Sequence, residues 1–228
     1  MMNNEIATIP VVAGTLAGVE VFANLDARTR EAIARQCIGR IYRPGQELTA
    51  PSDESKDVFF VISGTVKVAV YSRSGREVVF RSMGAGMMFG ELAAVDNEPR
   101  SAYIYANEET SVAVLTQGKF LELIVTHPQI AMGVMSHLAG LIRSLSQRVF
   151  EHDALKVGSR IHSELLRLAE TQAQGSNSAE ICPAPTDEEF ARLVGTNRAA
   201  VNRELSNMRR AGLVDKRDGC IQVADIQA

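Results

Sequence analysis

The chain has 228 residues, a formal net charge of -3 and 46% apolar residues. That length suits two domains of ordinary size, and this balance of apolar and charged residues excludes a disordered chain. A run of about 18 apolar residues is missing, and the opening Met-Met-Asn-Asn-Glu lacks the order of a secretion signal. The three cysteines, Cys37, Cys182 and Cys220, are scattered and odd in number, which predicts a soluble cytoplasmic protein without a disulfide framework.

Residues 16–41 carry apolar positions at helical spacing, with Asp26 placed to cap a helix that holds Ile33 and runs on toward Ile41. From Tyr42 to about Leu115 the pattern changes to short β-type runs punctuated by glycine. Val66–Tyr71 and Glu77–Phe80, joined by Arg73-Ser74-Gly75, read as a hairpin. Short strands at this spacing predict a jelly-roll or barrel and not an open parallel sheet.

After Pro128 the period becomes helical. Val134, Leu138, Leu141, Leu145, Arg148, His152 and Leu155 recur at alternating intervals of four and three. Such a stripe needs cover. Either the helix lies across its own sheet or it forms a two-helix seam with a second copy, and the polar Arg148 and His152 favour the seam. A break at Lys156-Val157-Gly158 precedes a second amphipathic helix, Ser159 to about Glu170, and Gln172–Ser178 reads as an exposed loop. The chain is thus read as α+β, with a β-rich domain and long helix at 1–155 (the helix about 128–155) and a second domain at 156–228.

In the second domain, Thr186-Asp187-Glu188-Glu189 matches a capping box. The helix it opens ends at Val194-Gly195, where glycine permits a tight connection. Thr196 is expected to cap a second helix starting at Asn197. Val201, Leu205 and Met208 then face the core, leaving Ala199, Asn202, Arg203 and Ser206 outward with Arg198 beside them, as in a helix that enters the major groove. Between Phe190 and Arg217 seven cations meet two carboxylates, a local charge of +5. Positive charge confined to one face suits a phosphate-facing surface. Arg198 and Arg203 have the donors to read guanine, and Asn202 can read adenine. The final hairpin turns at Arg217-Asp218-Gly219 and carries Lys216 and Arg217 as phosphate contacts from a wing.

The densest constellation runs from Phe89 to Tyr103. Gly90-Glu91-Leu92 opens a short apolar turn, and Arg100 and Ser101 follow Glu91 by nine and ten residues. Arginine offers a paired, permanent clamp for an anion, serine a hydroxyl, and glutamate an acceptor for a sugar hydroxyl. One anion site beside one hydroxyl acceptor describes a ribose phosphate. The plain alternative is a salt bridge from Arg100 to Glu91 or Glu98.

This order of β-roll, Gly90-Glu91-Leu92 cassette ending in Arg100-Ser101-Ala102, long helix and helix-turn-helix resembles the Crp/Fnr family of bacterial transcription regulators, from about Val19 to Val223. The resemblance implies a β-roll that binds a cyclic nucleotide, a long dimerisation helix and a winged helix-turn-helix. It implies that Gly90 and Glu91, with Leu92 in the same cassette, hold the ribose, that Arg100 and Ser101 hold the cyclic phosphate, and that Leu145 and Ser146 on the long helix face the base. Ser146 fits the family pattern and Leu145 departs from it, so cyclic AMP is favoured and cyclic GMP stays open. The implied partners are double-stranded DNA, a second copy of the chain and RNA polymerase, the last at the loop near Gln172–Ala179. The match at Arg198, Val201 and Arg203 has Ala199 where the best-known cyclic-AMP member has Glu. The expected half-site is therefore related to TGTGA but altered or relaxed at that base pair.

Other chemistries find less support. Cys37 stands alone in the first 180 residues, too few thiols for an iron-sulfur cluster. His127, His137, His152 and His162 are ten or more residues apart and read as surface or seam histidines, so neither a metal site nor a metal-dependent cupin-type enzyme is expected. Cys182 and Cys220 read as packing residues.

Overall fold

A computed structural model gives the fold and describes residues 6–71, 77–172 and 177–225. In chain order the elements are β1 (Ala7–Ile9), α1 (Ala13–Leu16), α2 (Ala27–Ala34), β2 (Ile38–Tyr42), β3 (Glu47–Thr49), β4 (Val58–Ser63), β5 (Val66–Tyr71), β6 (Glu77–Met83) and β7 (Met88–Phe89). They continue with α3 (Glu91–Asp96), β8 (Tyr103–Ala106), β9 (Thr110–Leu115), α4 (Gln117–Thr126), α5 (Pro128–Ala154) and α6 (Val157–Gln172). The last part holds β10 (Ala179–Ile181), α7 (Asp187–Leu193), α8 (Arg198–Arg210), β11 (Val214–Arg217) and β12 (Cys220–Val223). The chain divides within α5 into two compact units, residues 1–142 and 143–228. None of the described helices is long and apolar enough to cross a membrane.

The first unit is a roll of two antiparallel sheets, ordered β1-β2-β9-β4-β7 and β3-β8-β5-β6. Strand β4 shows how its sequence demands this. Val-Phe-Phe-Val is apolar without a break because both faces of the strand are covered. Phe59 and Val61 join the core with Tyr42, Val66, Met83 and Ile104 from both sheets, while Val58 and Phe60 join the core of Phe22, Ile33, Phe120 and Ile130 from the flanking helices. Phe59 stacks on Phe89 and Phe60 tilts against Phe22, each pair with centroids 4.8 Å apart.

Asp26 caps α2, accepting from the Thr29 amide at 2.8 Å. The helix ends at Ala34, however, and the segment expected to continue it is strand β2, paired with β1 and β9. Burial of Ile41's neighbours in the sheet outweighs a helical spacing that residues 38–42 also happen to satisfy. The Val66–Tyr71 hairpin partner is β6 as expected, and its turn at residues 73–75 lies outside the described residues.

Helix α5 splits its apolar surface. Ile130, Val134 and Leu138 pack on the first unit's helical core. The exposed set is Met135, Ile142, Leu145 and Val149, with Met132 and Phe150 flanking it. Val134 is therefore not on the open stripe, which keeps Leu145 of the expected seam but otherwise takes Met135, Ile142 and Val149, each one residue on, because the protein's own core claims the adjoining face. The side chains of Arg148 and His152 lie outside the described set.

The second unit packs α6, α7 and α8 against a sheet ordered β10-β12-β11. Ile161, Leu165, Phe190, Val201 and Ile221 form its core. Strand β10, which follows directly on the stretch read as an exposed loop, pairs Ile181 with Ile221 and so sets Cys182 beside Cys220. These two cysteines, which flank the ends of the second domain and can meet in a small sheet, are disulfide-bonded, which corrects their reading as packing residues in a chain without disulfides. Cys37 remains a free thiol, pushed up to about 12 by burial. Much of the expected loop, residues 173–176, lies outside the described residues.

Candidate ligand cradle and nucleic-acid interface

The cradle is built where β7 turns into α3. Gly90, the residue before that helix, has φ 85° and ψ 0°, a left-handed conformation natural to glycine. A Cβ there would also lie 2.5 Å from Arg100 Nη1 and 2.7 Å from the Asp57 carbonyl oxygen. Glycine thus lets the arginine lie flat against the turn. The far end of α3 is pinned by Lys56, which donates to the Asn97 backbone and side chain, and by Gln117, which donates to the Ala94 carbonyl at 3.1 Å.

Arg100 is only 6% exposed. Its Nη1 donates to the Gly90 carbonyl at 3.1 Å and its Nη2 to the Asp57 carbonyl at 2.8 Å, with the guanidinium 5.8 Å from the Phe59 ring centroid. The expected alternative of a direct Arg100–Glu91 or Arg100–Glu98 bridge is not how these described side chains pair. Arg100 Nε is buried with no hydrogen-bond partner. Burial holds the Arg100 pKa below its ordinary value, against the carboxylates of Asp53, Asp57 and Glu91, which pull it up. A buried cation with an unused donor is costly unless an anion completes it.

Glu91, 3% exposed, turns its carboxylate to His137 of α5, with Oε1 3.3 Å from Nε2. His137, read as a surface or seam residue, is thus the α5 contact of the cradle. A contact 46 residues away in the chain has no local signal. Ser101 and Leu92 are exposed at the rim, while Leu145 and Ser146 are exposed on the part of α5 that belongs to the second unit. The structure therefore gathers Gly90, Glu91 and Arg100, and adds His137 to them.

In the second unit the capping box is complete. Thr186 Oγ1 accepts from the Glu189 amide at 3.2 Å, and Glu189 Oε2 accepts from the Thr186 amide at 2.8 Å. Gly195 has φ 65°, turning the chain from α7 toward α8. The cap of α8 is Asn197, whose Oδ1 accepts from the Ala200 amide at 2.9 Å. It replaces Thr196, whose amide instead donates to the Ala191 carbonyl. Asparagine outranks threonine as a cap, and one residue later it completes the same turn.

Val201 is fully buried and Leu205 and Met208 pack on the same core, so Arg198, Ala199, Asn202 and Arg203 are exposed together. Lys216 and Arg217 stand on β11, each facing a carboxylate: Lys216 Nζ lies 3.3 Å from Asp187 Oδ1, and Arg217 Nε lies 2.7 Å from Asp215 Oδ2. Asn202 Nδ2 donates to Asp187 Oδ2 at 3.2 Å. Asp187, read only as part of a helix start, is thus the acceptor shared by the two helices and the wing. None of the groups of three or more His, Cys, Asp or Glu among the described residues is placed to hold a metal ion.

Two family descriptions match this chain: a cyclic nucleotide-binding domain over residues 39–127 and a Crp-like helix-turn-helix domain over residues 159–228. The chain is 28% identical over 188 residues to the cAMP-activated global transcriptional regulator Vfr of Pseudomonas aeruginosa, covering 81% of this chain and 88% of that one. It is 25% identical over 211 residues to a CRP-like cAMP-activated global transcriptional regulator of Mycobacterium tuberculosis, covering 92% and 94%. Among solved structures, the c-di-GMP responsive regulator CLP of Xanthomonas campestris aligns with a TM-score of 0.72 at 22% identity, covering 87% of this chain and 99% of that one. A CooA mutant from Carboxydothermus hydrogenoformans aligns with a TM-score of 0.73 at 20% identity, covering 86% and 87%. Likeness at those identities speaks for the fold alone.

Proposed function

We propose that the chain is a regulator of the Crp/Fnr type that binds cyclic AMP in its β-roll and, as a homodimer, reads a two-fold symmetric DNA site, a reading supported by its cyclic nucleotide-binding and Crp-like helix-turn-helix matches and its likeness to Vfr. The observation that carries the ligand reading is the buried Arg100 with an unpartnered Nε. A cyclic phosphate supplies the missing anion and acceptor, and Ser101 adds a hydroxyl donor from the rim. Glu91 accepts from a ribose hydroxyl, and Gly90 keeps the backbone clear of the sugar. Leu145 and Ser146 face the base; an apolar Leu145 leaves selection between adenine and guanine to fewer polar contacts than the family pattern provides.

The exposed stripe Met135, Ile142, Leu145 and Val149 supports the homodimer, because residues seven, three and four apart present one seam to a second helix. A two-fold dimer sets two reading heads about 34 Å apart, the spacing of successive major grooves. Taking the functional boundary at 155/156, the nucleotide acts by favouring the dimer in which the heads are so aimed, and it must bind that state more tightly to do so. Arg198 and Arg203 read bases, Arg217 meets a phosphate from the wing, and Lys216, paired with Asp187, is a further phosphate contact of the wing only when that pair opens.

Calorimetric titration with cyclic AMP and, separately, cyclic GMP tests this beside Arg100→Ala. Saturation near one ligand per chain, weakened at least about 100-fold in the variant, is the expected result for a buried charge-assisted clamp. No heat from either nucleotide overturns the ligand assignment and leaves a regulator that answers to another effector.

A further inference from the structure

Asp187 is the first residue of α7, yet its carboxylate spans three elements. Oδ2 accepts from Asn202 on α8 at 3.2 Å, and Oδ1 accepts from Lys216 on β11 at 3.3 Å. The three residues line one small cleft with Ser206 and Arg209. The Asp187 side chain is 16% exposed, against 48% for Lys216. Burial works to raise its pKa, but hydrogen bonds from Asn202 and Lys216 and the charges of Lys216 and Arg198 hold it below the ordinary carboxylate value. It is therefore an anion at neutral pH, and an ionised carboxylate only accepts.

That fact orients Asn202. An amide can present oxygen or nitrogen on either branch, but beside Asp187 the nitrogen must point inward. The oxygen is then the branch offered on the exposed face that carries Arg198, Ala199 and Arg203. In the major groove adenine N6 and cytosine N4 are donors, whereas guanine O6 and thymine O4 are acceptors. The geometry points to Asp187 as a positioning residue that makes Asn202 select a base with a major-groove amine and restrains Lys216 from the phosphates. This rests on the reading of the α8 face as the base-reading surface.

The test uses the full chain with cyclic AMP and a pool of duplexes with randomised half-sites, followed by titrations at several salt concentrations. In Asp187→Ala, discrimination at one base pair per half-site, adenine or cytosine over guanine or thymine, should fall roughly tenfold as the amide is freed to turn. The slope of log affinity against log salt should at the same time steepen by about 0.9 per Lys216 released to a phosphate. Loss of selectivity with a gain in salt dependence is not what unfolding produces. Asp187→Asn, equal in size, repeats the measurement should the alanine variant fail to fold. Unchanged discrimination, or parallel weakening at every half-site with the slope unaltered, overturns the proposal. Arg203→Ala serves as the separate control: if it leaves site-specific binding intact, the α8 assignment itself is what fails.

Discussion

Arg100 lies buried and hydrogen-bonded to two backbone carbonyls, whereas Arg198 and Arg203 stand exposed along α8. On the proposed reading the first meets a cyclic phosphate and the others meet base edges, so arginine serves both regions under opposite solvation. The cradle's cation has already lost its water, so a ligand that fits gains a strong contact and one that does not fit leaves the cost unrelieved. The cations of α8 keep their water and counterions, and attraction there is long-range and tolerant of sequence until base edges are reached. One region is organised for a single small anion and the other for a polyanion that must be searched along.

The sharpest way to break this contrast is to unfold one side of it. Phe60 and Phe190 are fully buried in different cores. Truncating either to alanine should cost its own unit about 3–5 kcal/mol. Calorimetry of Phe190→Ala should show one transition shifted down while nucleotide binding persists, and Phe60→Ala should shift the other transition and weaken nucleotide binding. Loss of nucleotide binding from Phe190→Ala, or a shift of both transitions from either change, would mean that the units do not fold on separate cores.

Salt separates the regions with a smaller effect. The wing's Arg217, twice over in a dimer, implies a log–log slope of about -1.8, hence roughly a tenfold loss of DNA affinity between 50 and 200 mM salt. Nucleotide affinity should change by less than about threefold over the same range, because a buried pair is weakly screened. Equal salt sensitivity in parallel titrations would show that the cradle's arginine meets its ligand in water.

What could be read from sequence follows the same division between local and distant causes. The Gly90–Arg100 cassette, the Thr186–Glu189 capping box and the hairpin strands are short-range patterns, and each specifies its own geometry. The pairing of His137 with Glu91, of Cys182 with Cys220, and of Asp187 with Lys216 depends on which elements meet, and no spacing encodes that. Residues 38–42 satisfy a helical period but become a strand because β1 and β9 flank them. The open stripe of α5 keeps Leu145 but otherwise moves by one residue for a related reason: periodicity finds a stripe, but the core chooses which side of it to take, and here it takes Ile130, Val134 and Leu138.

The smallest effect isolates the one carboxylate at the junction of α7, α8 and the wing. With its pKa lowered on folding, Asp187 stabilises the second unit above its unfolded value, and that contribution disappears as pH falls through the lower folded value. The window therefore opens below about pH 4, the ordinary range for aspartate. Because its partner Lys216 is 48% exposed, solvent screens the pair, and the contribution should be under about 1 kcal/mol. Subtracting acid melting curves of Asp187→Asn from those of the unaltered chain should leave a difference that is constant near neutrality and shrinks below pH 4. A difference that instead grows on acidification would mean that Asp187 is protonated more readily in the folded state, and that Asn202 and Lys216 do not hold it as an anion.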